Sequence, residues 1–133
     1  ICLVGSEMCI RDRYYDLLQK ILVGYLQTYP EVNTLPTFTA TTARIQKYDK
    51  DGHFNSWHHE RGGGTTQNRC LVYMTYLNDV EEGGETYFKY QNKKIKPEVG
   101  KTIIWPSDWT HTHKGVSPKS GFKYIATGWY VHT

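Results

Sequence analysis

The stretch "WHHERGGGTTQNRCLVYMTYLNDVEEGGETYF", residues 57–88, combines a polar cluster, a strand-like run and two glycine-rich turns. It begins with two histidines and a glutamate, passes through a glycine-rich connection, and continues as a run rich in Val, Tyr and Thr. Such a run is typical of a β-strand, and clusters of Gly with Asn or Asp indicate turns. The stretch therefore predicts short strands joined by turns, with candidate metal ligands at its start.

The rest of the chain has the same character. Its 11 tyrosines and 4 tryptophans favour strands, and its 12 glycines fit a turn-rich protein. We predict strands at residues 38–48, 56–60, 71–77, 86–90, 94–95, 102–105, 111–114 and 123–131. Many short strands of this kind indicate a sandwich, a jelly roll or a small barrel.

One helix is predicted, at residues 14–28. Its apolar residues, among them Leu18, Leu22 and Leu26, recur at steps of three and four and form one stripe before Pro30. We expect this helix to pack on the outside of the sheet.

The first residues call for separate treatment. The chain begins with Ile rather than Met, and "VGSEMCIRDR", residues 4–13, resembles translated sequencing-adapter text. We expect residues 1–13 to be a non-native leader and residues 14–133 to form a single domain, since the length suits one core.

Composition narrows the classes of function. The 16 basic and 13 acidic residues are scattered along the chain, so we expect no nucleic-acid partner. Three cysteines, without C-x-x-C spacing, favour a reducing compartment. No apolar run approaches the roughly 20 residues that cross a bilayer, and no secretory signal is evident. We expect a cytoplasmic protein without membrane association, and the oligomeric state is left open.

The histidines suggest a metal site. In an extended segment His58 and Glu60 point to one face and His59 to the other. A third ligand could come from His111 or His113, again two positions apart. Two histidines and one carboxylate leave open positions on non-haem Fe(II), and the same ligands with a water suit a zinc hydrolase. Spacing alone chooses neither the metal nor the third ligand.

The last predicted strand adds a cation. In "KYIATGWY", residues 123–130, Lys123 shares a face with Ile125, Thr127 and Trp129. A lysine on a core face is rarely tolerated unless it meets an anion. A carboxylate of a small diacid would satisfy it, and the alternative is that Lys123 lies at an exposed edge.

Together these motifs resemble the 2-oxoglutarate- and Fe(II)-dependent oxygenases of the prolyl 4-hydroxylase type, especially short versions from phage and marine metagenomes. The resemblance covers residues 40–130. It rests on "HHE" for the family's H-x-D, on "YLNDVEEGGETYF", and on "HKGVSPKSGFKYIATGW". It implies a mainly β fold, a double-stranded β-helix or jelly roll, here with an N-terminal packing helix.

The resemblance also implies a site. The metal ligands would be His58, Glu60 and His113, with His113 preferred to His111 because the family's basic residue follows the distal histidine by about ten positions, where Lys123 stands. Lys123 would bind the distal carboxylate of 2-oxoglutarate, in a pocket shared with Tyr76, Thr127 and Tyr48. Glu60 departs from the family, which mostly has Asp there, and this puts the geometry of the carboxylate in question.

The implied activity is that of a 2-oxoglutarate- and Fe(II)-dependent dioxygenase that hydroxylates prolyl residues in a peptide or protein. Dioxygen would be cosubstrate, succinate and CO2 products, and ascorbate a reductant. Trp57, Arg61 and Trp109 are candidates for an aromatic, partly basic substrate groove, and equally for ordinary packing. Alternatives are a hydroxylase of a free amino acid or another side chain, a zinc-dependent hydrolase, and a non-catalytic jelly-roll binding module.

Overall fold

The computed structural model of the protein describes residues 10–34, 38–52 and 56–133. The chain divides into two compact units, residues 1–36 and 37–133. The first contains helix α1 (Ile10–Thr28) and a 3-10 turn, Pro30–Thr34. The helix begins at Ile10 rather than at residue 14, inside the expected leader, whose non-native origin stays a prediction. Cys2, Cys9 and His53 lie outside the described residues.

The described part of the second unit contains eight strands. They are β1 (Phe38–Ala40), β2 (Arg44–Tyr48), β3 (Arg69–Tyr76), β4 (Thr86–Phe88), β5 (Lys93–Ile95), β6 (Thr102–Pro106), β7 (His113–Gly115) and β8 (Lys123–His132). A major sheet has the order β1-β8-β3-β6, with β2 also paired to β8, and a minor sheet has the order β5-β4-β7. All of these pairings are antiparallel. No helix among the described residues is long and apolar enough to cross a membrane.

Strand β8 organises the major sheet. On one edge it pairs with β1 and then with β2, so that Tyr48 lies opposite Lys123. On its other edge it pairs with β3, where Met74 lies opposite Thr127 and Tyr76 opposite Ile125. The polar residues of the predicted pocket thus share neighbouring strands with apolar ones.

The core fills the inner face of the major sheet and meets the minor sheet. Its buried cluster consists of Val72, Met74, Tyr76, Phe88, Trp105 and Ile125. The alternate residues of β3, Leu71, Tyr73 and Thr75, are also buried. Because β3 is buried on both faces, it is a nearly continuous apolar run rather than a strict alternation.

The prediction of one continuous strand at residues 38–48 is wrong, because the structure has two strands, β1 and β2, separated at residues 41–43. The Tyr73 hydroxyl donates to the Thr41 carbonyl oxygen at 2.6 Å. It reaches this carbonyl across Gly128, where a Cβ would lie 2.2 Å from the hydroxyl oxygen. The tyrosine therefore takes a backbone acceptor at the point where the ladder is interrupted.

Two further strand predictions are corrected near the histidines. Residues 56–60 do not form a strand, and within this segment His58 makes a single antiparallel bridge with His113. Residues 109–111 form a 3-10 turn, closed by the His111 amide donating to the Asp108 carbonyl at 3.0 Å, so the strand predicted from residue 111 begins at His113. His111 and His113 consequently do not share one strand face.

Candidate active site

Three side chains of the predicted ligand set converge in the structure. Oε1 of Glu60 lies 3.2 Å from Nε2 of His58 and 3.3 Å from Nε2 of His113. The ligand atoms of all three residues lie within 4.8 Å of one another. Two imidazole nitrogens and one carboxylate oxygen fit Fe(II) with positions left open, and zinc is the other metal that takes such a set.

The backbone bridge positions the two histidines. The His58 amide donates to the His113 carbonyl at 3.0 Å, and the His113 amide donates to the His58 carbonyl at 2.9 Å. Each ring then has Nδ1 2.8 Å from a carbonyl oxygen two residues earlier, that of Ser56 or of His111. A carbonyl can only accept, so Nδ1 donates, and Nε2 is the nitrogen of each ring that can bind a metal once it gives up the proton it shares with Glu60.

Two side chains, those of Trp129 and Arg69, contact Oε2 of Glu60, the carboxylate oxygen that does not face the histidines. Trp129 Nε1 donates to Oε2 of Glu60 at 3.2 Å. Arg69 places Nη1 3.6 Å from the same oxygen and donates to the Glu60 backbone carbonyl at 3.0 Å. The Arg69 guanidinium also stacks 3.7 Å from the centroid of the Trp129 ring. Because Oε2 is bound in this way, only Oε1 faces the histidines. The site thereby accommodates Glu60, whose side chain is longer than that of the Asp that the family mostly has.

The surroundings of Glu60 keep it ionised. Burial by itself would raise its pKa, but hydrogen bonds with His113 and His58 outweigh burial and hold the pKa well below its usual range. A carboxylate must be deprotonated to bind a metal, so the site presents this ligand in the required form at neutral pH.

We expect Trp129→Phe to weaken metal binding about 10- to 100-fold, because it removes the N–H that orients Glu60 but keeps an aromatic ring beneath Arg69. The measurement is titration of the metal-free protein with Co(II), followed by absorbance. The matched control is Trp109→Phe, because Trp109 is 64% exposed and does not line the cavity beside the ligands. Equal affinities of wild type and Trp129→Phe would show that Trp129 does not orient the ligand.

A cavity of about 670 Å³ opens beside the three ligands. Lys123 lines it, is only 4% exposed, and donates from Nζ to the Gly84 carbonyl at 3.1 Å. Burial lowers the pKa of Lys123 to about 8, against a smaller opposing effect of Glu85. Within the described residues no carboxylate forms an ion pair with Lys123. A buried cation beside an open cavity fits the distal carboxylate of a dicarboxylic cosubstrate.

The hydrogen bond of Lys123 requires a glycine at position 84, the second glycine of "EEGG". Gly84 has a φ of +77°, and a Cβ there would lie 3.3 Å from Val80 and 3.4 Å from Cδ of Lys123. A side chain at this position would combine backbone strain with crowding of the lysine stem. Glycine lets the backbone approach closely enough to accept the hydrogen bond from Nζ.

The structure separates the other residues predicted for the pocket. Tyr48 and Thr127 line the cavity, but Tyr76 does not. The Tyr76 hydroxyl lies 2.6 Å from Oγ1 of Thr86 and donates to the Ile95 carbonyl at 3.0 Å. Burial raises the pKa of Tyr76 to about 12. Thr86, which sequence reasoning missed although it lies within the quoted "GGETYF" motif, lines the cavity in its place.

None of the three predicted groove residues lines this cavity. Arg61 is held by Asp108, with Nε 2.6 Å from Oδ1. Trp109 is 64% exposed in the 3-10 turn. Trp57 packs edge-on against Tyr87, with ring centroids 5.1 Å apart. A substrate groove that includes these three residues stays a prediction.

A family model described as the 2OG-Fe(II) oxygenase superfamily matches residues 43–131. The chain belongs to this superfamily. This confirms the resemblance to prolyl 4-hydroxylase-type oxygenases, and the relatives point the same way. Prolyl 4-hydroxylase 13 of Arabidopsis thaliana is 30% identical over 106 residues, in a match that covers 63% of this chain and 38% of that protein. The chain therefore spans well under half the length of this oxygenase relative.

Solved structures of related oxygenases share the fold. The viral collagen prolyl hydroxylase of Paramecium bursaria Chlorella virus-1, solved as a 2-oxoglutarate complex, has a TM-score of 0.73 at 22% identity, over 97% of this chain and 78% of that one. A Trichoplax adhaerens prolyl hydroxylase, in complex with a hypoxia inducible factor peptide fragment, has a TM-score of 0.61 at 25% identity, over 72% and 46%. The predicted mainly β, double-stranded β-helix fold is confirmed.

Proposed function

We propose that this 2OG-Fe(II) oxygenase superfamily member is a 2-oxoglutarate- and Fe(II)-dependent dioxygenase that hydroxylates prolyl residues in a peptide or protein. The observation that carries the proposal is the convergence of His58, Glu60 and His113 on a cavity that also contains the buried cation Lys123. The substrate class is supported by the prolyl hydroxylases among the relatives, including the one bound to a peptide.

The residues of the site would have separate roles. His58 and His113 would hold Fe(II) through Nε2, and Glu60 through Oε1. Bound iron would supply activation of dioxygen, coupled to conversion of 2-oxoglutarate to succinate and CO2 and to hydroxylation of the substrate. Lys123 would pair with the distal carboxylate of 2-oxoglutarate and so fix its orientation in the cavity. Cavity residues Val72, Met74 and Ile125 are apolar and would restrict water around the reacting groups.

Binding of 2-oxoglutarate is expected to weaken as the pH rises above about 8, the pKa of Lys123 in the free protein. Below that pH the lysine is charged and attracts the carboxylate. Above it the lysine is neutral, and forming the ion pair requires uptake of a proton, so the affinity falls up to tenfold per pH unit. The measurement is the dissociation constant of 2-oxoglutarate for the anaerobic Fe(II) protein across this range. Lys123→Arg should give a flatter profile, and an equally steep profile in that variant would contradict the assignment.

The proposed activity can be tested with a library of proline-containing peptides. The protein is incubated with Fe(II), 2-oxoglutarate and ascorbate, and the peptides are analysed by mass spectrometry. We expect a mass gain of one oxygen atom on a proline, with succinate formed in proportion, and neither product with His58→Ala. Absence of turnover in intact, iron-loaded protein would contradict the proposal.

The alternatives raised by the sequence have no support in the family match. A zinc hydrolase would act without 2-oxoglutarate or dioxygen, and a non-catalytic module would bind its ligand equally well in His58→Ala. If the protein instead hydroxylates a free amino acid or another side chain, those compounds would be turned over and proline-containing peptides would not. Ascorbate as reductant and a cytoplasmic location stay predictions; the described cysteine, Cys70, is a free thiol.

A further inference from the structure

The outward face of the minor sheet carries an ordered set of lysines and aromatic rings. Strand pairing places Tyr87 of β4 between Lys94 of β5 and Lys114 of β7. Because His58 pairs with His113 in the antiparallel bridge, the preceding residue, Trp57, lies across from Lys114. We call Lys94, Tyr87, Lys114 and Trp57 the lysine–aromatic row.

The row faces away from the metal ligands. Successive side chains of a strand alternate between its faces, and the neighbours of Tyr87 on β4, Thr86 and Phe88, are both buried. His113, the neighbour of Lys114, is likewise buried, whereas Trp57 is 38% exposed. The row is therefore a surface separate from the cavity, although it begins one residue from a candidate ligand.

Cation–π contacts order the lysines of the row. Nζ of Lys114 lies 4.6 Å from the centroid of the Trp57 ring and 6.0 Å from that of Tyr87, and Nζ of Lys94 lies 5.0 Å from that of Tyr87. Lys89 approaches the Trp57 ring from beside the row, at 5.7 Å. Such contacts stabilise the ammonium groups in place without neutralising them. The rings thus favour positions of the ammonium groups on this face and leave their charge available to a partner.

Ion pairs do not neutralise this charge within the described residues. Within the described residues, neither the two lysines of the row nor the adjacent Lys89 and Lys93 form an ion pair. Lysines elsewhere do pair with Asp or Glu, as seen for Lys47, Lys101 and Lys119. A local excess of ordered, unpaired cations is complementary to an anionic partner.

We propose that the lysine–aromatic row binds an acidic segment of the protein substrate, close to the residue that is hydroxylated; this rests on the proposed function. The row ends at Trp57, directly before His58, and Lys114 directly follows His113. Since an extended peptide spans about 3.3 Å per residue, a short segment can reach from the row to the metal centre. A single-stranded nucleic acid fits less well, because base stacking needs open ring faces, and lysines of this chain lie over these rings.

The test separates binding from turnover. A fluorescent peptide of about 14 residues, up to roughly 45 Å long when extended, carries one proline with a run of aspartates on one side. Its counterpart has asparagines in their place. By fluorescence anisotropy at low salt we expect at least about tenfold tighter binding of the aspartate peptide, with the difference shrinking as salt rises.

The double variant Lys94→Gln/Lys114→Gln should lose this preference. The matched control, Lys20→Gln/Lys50→Gln, makes the same change in net charge at exposed lysines outside the row and should keep it. In turnover by the wild type, the aspartate peptide should show a lower KM and an unchanged kcat.

Equal binding of the two peptides, or a preference that survives in the row variant, would overturn the proposal. It would also be overturned if single-stranded oligothymidylate bound through these lysines and the aspartate peptide did not. If the binding preference is found but no peptide is oxidised by intact, iron-loaded protein, the row binds acidic peptide and the proposed oxygenase function fails. If both peptides are hydroxylated alike without a binding preference, the oxygenase function holds and the row has no such role.

Discussion

His113→Ala is expected to lower both metal affinity and turnover by more than about 100-fold, whereas His111→Ala should leave metal affinity unchanged. The structure places His113 Nε2 3.3 Å from Oε1 of Glu60. The His111 ring instead has Nδ1 3.0 Å from Oγ1 of Thr110, in the 3-10 turn. Loss of a direct ligand should exceed the 10- to 100-fold effect of losing a group that only orients one.

The readouts are metal content after dialysis against Fe(II) or Co(II), and succinate formation. His113 is buried and packs near Phe88 and Trp105, with ring centroids 5.7 and 5.1 Å away, so truncation to alanine leaves a cavity. His113→Gln keeps most of the side-chain volume, and circular dichroism shows whether each variant is folded. A folded His113→Ala protein that retains metal, together with loss of metal in His111→Ala, would exchange the roles of the two histidines.

Lys123→Met should make the metal-free protein more stable while weakening 2-oxoglutarate binding at least about 30-fold. A pKa that falls from 10.5 to about 8 on folding corresponds to about 3 kcal/mol of unfavourable free energy for the charged lysine. Methionine fills a similar volume without a charge, so that cost disappears, and loss of the hydrogen bond to the Gly84 carbonyl offsets part of the gain. Removing one partner of a buried ion pair costs about 2–5 kcal/mol of binding, which accounts for the lost cosubstrate affinity.

The stability effect has a defined pH dependence. Below about pH 8 the lysine is charged in both the folded and the unfolded state, so the full cost of burying the charge destabilises the wild type. Between pH 8 and 10.5 the unfolded chain binds more protons than the folded one, and the stability of the wild type rises with pH. Urea unfolding at pH 7 should therefore show the largest gain for Lys123→Met, and the gain should vanish near pH 10.5.

The control for this comparison is Lys50→Met, at an exposed position, which should change stability little at either pH. A Lys123→Met variant that is less stable than the wild type at pH 7, or whose 2-oxoglutarate affinity is unchanged, would contradict the account of Lys123.

Strand alternation predicted the side-chain directions correctly in part of the candidate site. It placed His58 and Glu60 together and His59 away from them, and in the structure His59 is exposed while the other two line the cavity. It also placed Lys123 on the inner face of β8 with Ile125 and Thr127. These outcomes depend only on locally extended backbone, which local sequence can indicate.

Other features depend on contacts between distant segments and could not be predicted from local pattern. The hydrogen-bond partners of the Tyr76 hydroxyl, Thr86 and Ile95, belong to the minor sheet, so alternation gave the correct face but not the position of the hydroxyl. Trp129 is 69 residues from the carboxylate that it orients. The start of β7 at His113 rather than at His111 depends on closure of a 3-10 turn. In the first two cases a contact between distant segments decides the position of the side chain, and in the third a local 3-10 turn interrupts the strand period.

The central claim, that the centre formed by His58, Glu60 and His113 is that of a 2-oxoglutarate-dependent dioxygenase, is tested most directly by the fate of isotopically labelled dioxygen. Iron-loaded protein is given labelled dioxygen, 2-oxoglutarate and a proline-containing peptide that it oxidises. We predict one labelled oxygen atom in succinate and one in the hydroxylated proline, with both absent in His58→Ala. Product formed without dioxygen or 2-oxoglutarate, with its new oxygen atom taken only from water, would contradict the claim.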